Sequence, residues 1–146
     1  MISPERPSFA ALVPELVCTD IERSVRFYTE VLGFEVLYSR PEERFAYLRR
    51  EGAEIMLEQP TGRSFVIAPL EYPFGRGIVP QIWVSDVEGL YSRVVEAKAE
   101  LHLPLEEKWY RMGDIEGGNH QFVVVDPDGY LMRFAQDLGS RPAEPR

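Results

Sequence analysis

The stretch Leu12-Val13-Pro14-Glu15-Leu16-Val17-Cys18-Thr19-Asp20-Ile21-Glu22 returns as Ile78-Val79-Pro80-Gln81-Ile82-Trp83-Val84-Ser85-Asp86-Val87-Glu88 at a constant offset (78 − 12 = 66). Most substitutions between the copies keep size or chemistry. In each copy, β-compatible apolar residues run into a Thr/Ser-Asp-x-Glu sequence, the spacing of a capping box at a helix start. That spacing leaves open whether the hydroxyl residue or the aspartate is the cap. A doubled strand-to-helix unit in 146 residues restricts the chain to two similar halves about an internal pseudo-twofold. Function is expected where the halves face each other.

The copies continue alike. Ile21, Val25, Tyr28 and Leu32 recur at helical spacing, Phe27 and Val31 widen the apolar face, and Gly33 stands where a left-handed C-terminal residue is expected. Val87, Leu90, Tyr91, Val94 and Val95 give a second helix reaching about residue 99. Strands are expected over 34–38, 44–49 and 53–59, with a hairpin turn at 50–52. In the second half they are expected over 101–105, 107–112, 120–125 and 130–136. A polar loop is expected over 114–119 and a tight turn at Asp126-Pro127-Asp128-Gly129. Pro14 removes a backbone donor, which places the first strand at a free or irregular edge. Each half reads as βαβββ: module one over about 10–59, a linker over 60–77, module two over about 78–136 and a frayed tail over 140–146, after a lead-in over 1–9. The linker carries Phe65-Val66-Ile67 and Tyr72-Pro73-Phe74 and is too apolar for a free tether, so it is expected to pack against something, including a second subunit.

The chain is 45% hydrophobic and 27% charged, which suits a globular core. No apolar run approaches the roughly 20 residues that span a bilayer. A net charge of −8 opposes nucleic-acid phosphates and anionic membranes and tolerates cationic ligands, so neither nucleic acid nor membrane is an expected partner. Residues 1–6 lack a basic region followed by an apolar one, so no secretory signal is expected. The lone Cys18 excludes an internal disulfide and fits a reducing cytoplasm, the expected location.

Val13-Pro14-Glu15-Leu16-Val17-Cys18-Thr19-Asp20, Ser24, Phe27-Tyr28 and Leu32-Gly33-Phe34 form one run of matching residues. Asp86-Val87-Glu88, Leu90-Tyr91, Gln121-Phe122, Asp126-Pro127-Asp128-Gly129-Tyr130 and Arg133-Phe134 form another. With the doubled βαβββ order, the chain over about 10–138 resembles the vicinal oxygen chelate superfamily: glyoxalase I, extradiol dioxygenases, fosfomycin-resistance enzymes and bleomycin-resistance proteins. Its texture is closest to the bleomycin-resistance-like branch. The resemblance implies an α+β fold in which two tandem βαβββ modules form a cup-shaped eight-stranded sheet. It also implies a homodimer, often with binding clefts formed across subunits.

Metal-dependent members carry His, Gln or Glu at four cup-facing positions. The resemblance places these at Val13 and Val79, seven residues before Asp20 and Asp86, at Arg133, and at Met56 as the first-half counterpart of Arg133. Valine has no donor atom, thioether suits only soft metals, and guanidinium stays protonated. No metal and no cofactor are therefore expected. A rearranged set of Glu15, Glu58, Gln81 and His120 would need moved strands. No HExxH, CxxC, phosphate-loop or nucleophile-elbow pattern is present, and His102 is expected at the surface.

Strand alternation then puts Glu15, Gln81, Trp83, Met56, Glu58 and Arg133 on the cup side. An aromatic plate, a thioether, carboxylates and a guanidinium suit a small-molecule site with a few polar anchors. The bland alternatives are a buried Glu15–Arg133 ion pair, and core filling by Trp83 and Met56. Glu107, Trp109 and Arg111 share one face of their strand, with Lys108 and Tyr110 on the other. They read either as a charged rim able to stack a planar or cationic ligand or as a guarded edge strand. Cys18 and Val84 should face away from the cup. The expected function is binding and sequestration of an aromatic or cationic small molecule in a dimeric cleft. The alternative is a lyase, dioxygenase or isomerase with a shifted metal site or with Glu15 as base, and a third reading is a sensing or structural dimer.

Overall fold

The computed structural model describes residues 6–145. Its elements are β1 (Glu15–Val17), α1 (Ile21–Arg26), β2 (Glu35–Arg40), β3 (Phe45–Arg50), β4 (Ala53–Glu58), β5 (Gln81–Trp83), α2 (Val87–Glu96), β6 (Leu101–Met112), β7 (Ile115–Val125) and β8 (Leu131–Pro142). A wider π-type turn over Phe27–Val31 prolongs α1, and a short 3-10 turn fills Pro41–Glu43. The strands pair in the orders β1-β4-β3-β2 and β5-β8-β7-β6, with the first pair of each parallel and the rest antiparallel. The eight strands of two tandem βαβββ modules are present, and within one chain they divide into two four-stranded sheets.

The repeat is visible in the backbone bonds. Met56 N donates to Pro14 O at 2.8 Å and Arg133 N to Pro80 O at 3.0 Å. Cys18 N donates to Glu58 O and Val84 N to Ala135 O, both at 2.9 Å. Each proline lies beside an edge strand, where its missing N–H costs no ladder bond. The caps are aspartates: Asp20 accepts from Arg23 N and Asp86 from Gly89 N. The first helical N–H of each helix is met by a glutamine of the last strand region, Gln59 just past β4 for Ile21 and Gln136 within β8 for Val87, both at 3.0 Å. Four structural roles thus fall on residues related by the offset of 66 or, toward the end of each module, by one of 77 (136 − 59).

Alternation decides which side of each sheet is covered. Leu16, Leu48, Ile55 and Leu57 from one sheet and Ile82, Phe122, Val124, Met132 and Phe134 from the other join Tyr28, Leu32, Leu90 and Val94 of the helical segments in one continuous buried cluster. Burial of such side chains stabilises by about 1.5–3 kcal/mol each. Cys18 and Val84 are buried on this side, as alternation requires. Burial pushes the Cys18 thiol up to about 12, which keeps it inert. Both helices lie on this side of the sheets, and Glu15, Met56, Glu58, Gln81, Trp83 and Arg133 lie on the other.

The modules also clasp each other through their hairpin turns. Asp128 accepts from Thr19 N (3.2 Å) and Thr19 Oγ1 (2.6 Å), while Glu51 accepts from Ser85 N (3.2 Å). Thr19 and Ser85 are repeat equivalents, as are Glu51 and Asp128, so each turn holds the strand-to-helix corner of the other module. The second turn holds more: buried Asp126 accepts from Tyr28 Oη at 2.8 Å and from Asp128 N and Tyr130 N at 2.9 Å. Tyr130 Oη reaches Val17 O at 2.9 Å.

Some boundaries differ from expectation. The segment 114–119 is strand from Ile115, because Gly113 (φ +69°) completes a tight turn that brings both strands into register at once. β6 is one strand with register shifts between Leu101 and Glu106. The tail is strand as far as Pro142, since Ile115–Gly117 offer partners to Ser140–Pro142. Residues 1–5 of the expected lead-in and Arg146 of the expected tail lie outside the described residues. The linker docks on its own chain: Phe74 N donates to Asp128 O (2.9 Å) and Gly75 N to Gly129 O (3.1 Å). Only glycine fits at 75, where a Cβ would meet Tyr130 Cα at 2.7 Å. Phe65 and Ile67 remain exposed.

Candidate functional site

The register sets equivalent positions side by side on the open sheet faces. Glu15 pairs with Met56 and Val17 with Glu58 in the first sheet; Gln81 pairs with Arg133 and Trp83 with Ala135 in the second. Glu15, Met56 and Glu58 therefore meet on one open face, and Gln81, Trp83 and Arg133 on the other. Within one chain the two groups belong to separate sheets, so the six residues expected to line one cup are split three and three.

On the first face the Glu15 and Glu58 carboxyls stand as neighbours lining one pocket. The neighbouring Glu58 carboxyl, together with partial desolvation, pushes Glu15 up to about 7, against a smaller opposing pull from Arg40. The pair opens into a cavity of about 510 Å³ also lined by Arg40, Phe45, Arg63 and Phe65, within the range of small-molecule pockets. The Arg40 guanidinium lies 3.9 Å from the Phe45 ring centre and bonds Glu43 at 2.5 Å. The far end of this face is closed by residues 8–10. Phe9 packs on Tyr47 and Tyr38 at 5.2 and 6.3 Å, Ala10 N donates to Glu54 at 3.0 Å, and Tyr47 Oη bonds Glu54.

On the second face Arg133 does not pair with Glu15. Its guanidinium donates to Gln121 Oε1 at 2.6 and 3.1 Å and to Tyr110 Oη at 3.0 Å, and Gln121 Nε2 donates to Glu106 at 3.0 Å. Trp83 is 54% exposed at the sheet edge, so it fills no core. Tyr110, rather than Trp109, is the β6 aromatic that joins Arg133. Trp109 lies under Arg141, 4.1 Å from its guanidinium carbon, and Arg111 donates to Glu144 O at 2.8 Å. Glu107 is exposed opposite His120. Glu107, Trp109 and Arg111 are thus grouped together, apart from the Arg133 group. Arg40, Phe45, Tyr110 and Gln121 are the site residues that sequence reading missed. Phe45 and Gln121 could have been found from strand parity, since each pairs with a residue of the open face.

The donor chemistry at the family's metal positions does not fit a metal. Val13 and Val79 offer no donor, Met56 offers a thioether, and Arg133 brings a cation. Nor is the rearranged set assembled: His120 points toward Glu88 of α2, 4.0 Å away, while its neighbour Gln121 faces Arg133. Among the described residues no three His, Cys, Asp or Glu side chains are grouped to hold an ion.

A sequence profile of the Glyoxalase/Bleomycin resistance protein/Dioxygenase superfamily matches residues 9–134. The chain belongs to this superfamily. A superfamily member from Vibrio splendidus 12B01 is 44% identical, covering 85% of this chain and 95% of that one, with a TM-score of 0.39. TioX from Micromonospora sp. ML1 is 29% identical, covers 88% of this chain and 99% of its own, and superposes with a TM-score of 0.66. A probable lactoylglutathione lyase from Vibrio parahaemolyticus serotype O3:K6 (strain RIMD 2210633) is 28% identical over 127 residues, 81% of this chain and 83% of the relative. The likeness of fold rests on TioX. No helix among the described residues is long and apolar enough to cross a membrane.

Proposed function

We propose that this chain is a metal-free small-molecule binding protein, resembling the bleomycin-resistance proteins of the superfamily. It sequesters a cationic ligand with an aromatic portion in a cleft completed by a second copy of the chain. The Glu15–Glu58 pair in its open cavity carries the reading. Glu15 keeps its proton up to about 7 beside a second carboxyl, and an arriving cation displaces that proton and recruits a further negative charge. Exposed Phe65, on the wall of the same pocket, supplies a ring face beside this charge. The open faces also carry opposite charge, carboxyls on the first sheet and Arg133 on the second, as suits pairing of unlike sheets from two copies.

Calorimetric titration with bleomycin or another planar cationic compound should give saturable heat. Absence of heat at saturating concentration removes the antibiotic version of this reading. Sedimentation should give a dimer, and a monomer at tens of micromolar would remove the shared cleft.

The position of Glu15 near 7 supports a second reading, a metal-free isomerase in which Glu15 takes a proton from carbon beside a carbonyl. The likeness to a relative named as a probable lactoylglutathione lyase supports this reading. Turnover of lactoylglutathione by metal-stripped protein, lost in Glu15→Gln, would establish it. Less than stoichiometric nickel, zinc, manganese or iron after anaerobic purification would remove the metal-dependent lyase.

A further inference from the structure

A cavity of about 830 Å³ lies away from the open faces, between α1 and the outer strands of the first sheet. It shares Phe45 with the carboxyl pocket and no other lining residue. The internal repeat explains why it exists. Val25 on its helix wall corresponds to Tyr91 of α2 (25 + 66 = 91). Ala46 on its sheet wall corresponds to Phe122, because Ala46 pairs with Leu57 as Phe122 pairs with Phe134. By the same register Val36 corresponds to Leu101. In the second module the Tyr91 ring meets Phe122 edge-on at 5.2 Å and closes the space between helix and sheet. The first module has the same scaffold with Val25 and Ala46 standing where the second carries the two rings.

Two guanidiniums flank the groove, Arg26 on the helix and Arg44 on the strand side. Neither has a carboxylate within 4.0 Å among the described residues, whereas Arg23, Arg40, Arg49, Arg50, Arg76 and Arg141 all do. Of the two acids on the wall, Asp20 is engaged as the α1 cap and Glu22 is exposed. The matching space of the second module is filled by aromatic rings, and the groove wall carries Arg26, Arg44 and Glu22 as exposed charges without an ion-pair partner among the described residues, the cations being two to one. We propose that this groove is a second binding site, for a planar aromatic carboxylate whose rings lie between Val25 and Ala46 and whose anion meets Arg26 and Arg44. It is independent of the cation site on the open face.

The probe is 2-naphthoate, followed by its fluorescence and by the methyl resonances of Val25, Val36 and Ala46. Wild-type protein should bind it saturably, with shifts concentrated at those methyls. The paired substitution Val25→Tyr with Ala46→Phe rebuilds the filling of the second module and should abolish binding, while any planar-cation affinity of the open face persists. Arg26→Gln with Arg44→Gln should weaken naphthoate about tenfold or more. Shifts at other methyls, unchanged affinity in the ring-filled variant, or tighter binding of 2-(aminomethyl)naphthalene than of naphthoate would each overturn the proposal. So would methyl shifts that grow with protein concentration alone, which would show a second copy filling the groove.

Discussion

Where the first sheet carries Glu15, Met56 and Glu58, the second carries Gln81, Arg133 and Ala135 at positions related by the repeat. The backbone bonds around them agree within 0.2 Å (3.0 − 2.8) between modules, yet the chemistry has reversed sign. The same holds behind the sheets, where one module fills the helix–sheet space with Tyr91 and Phe122 and the other leaves a groove beside Val25 and Ala46. Duplication therefore fixes the frame, through caps, edge prolines and the glutamines that meet the helix starts. Divergence is concentrated in the side chains that a ligand could touch.

The clasps between modules offer the largest test of that comparison. Asp128 is 3% exposed in its side chain and takes bonds from Thr19 and Arg23, while its equivalent Glu51 is 40% exposed. Asp128→Ala should cost about 3 kcal/mol in urea unfolding, since it takes a buried acceptor from Thr19, Arg23 and the buried Ser24 hydroxyl, and Glu51→Ala about 0.5 kcal/mol. Equal costs would show that the clasps are energetically symmetric. Next in size, Tyr28→Phe should cost about 1–2 kcal/mol by leaving buried Asp126 one donor short. Tyr28 has no counterpart hydroxyl in the second module, where Val94 stands.

The faces differ in their pH response. The folded protein holds a proton on Glu15 up to about 7, while the unfolded chain releases it near 4.5. Stability therefore falls as pH rises through that window and levels off above it. Glu15→Gln should unfold at higher urea than wild type at pH 8, with the advantage fading toward pH 4.5. Gln81→Glu, which writes the first face onto the second, should acquire no such window, because no second carboxylate stands at Ala135. The smallest effect is expected at Cys18: a thiol-reactive disulfide should leave it unmodified in the native state and react only on unfolding.

Much of this was readable in the chain. The offset of 66 located both helix starts, strand alternation gave the shared side of Glu15, Met56 and Glu58, and the resemblance put valine and arginine where the family's metal ligands would stand. What escaped was long-range. Nothing local marks Gln59 and Gln136 as caps for distant helices, or Tyr110 as the partner of Arg133, because register shifts in β6 determine which aromatic faces inward. Nor does alternation say that one chain leaves its two polar clusters on separate sheets. It assigns a side, while the joining of sheets is set by how the helices and hairpin turns pack together.

The pairing of Glu15 with Glu58 as a cation site is tested most directly by the affinity of a planar cationic compound at pH 8 for wild type and for the Glu15→Gln, Glu58→Gln double variant. Calorimetry should show tight binding by wild type and a loss of at least about tenfold in the variant. Equal affinity in the two proteins would contradict it.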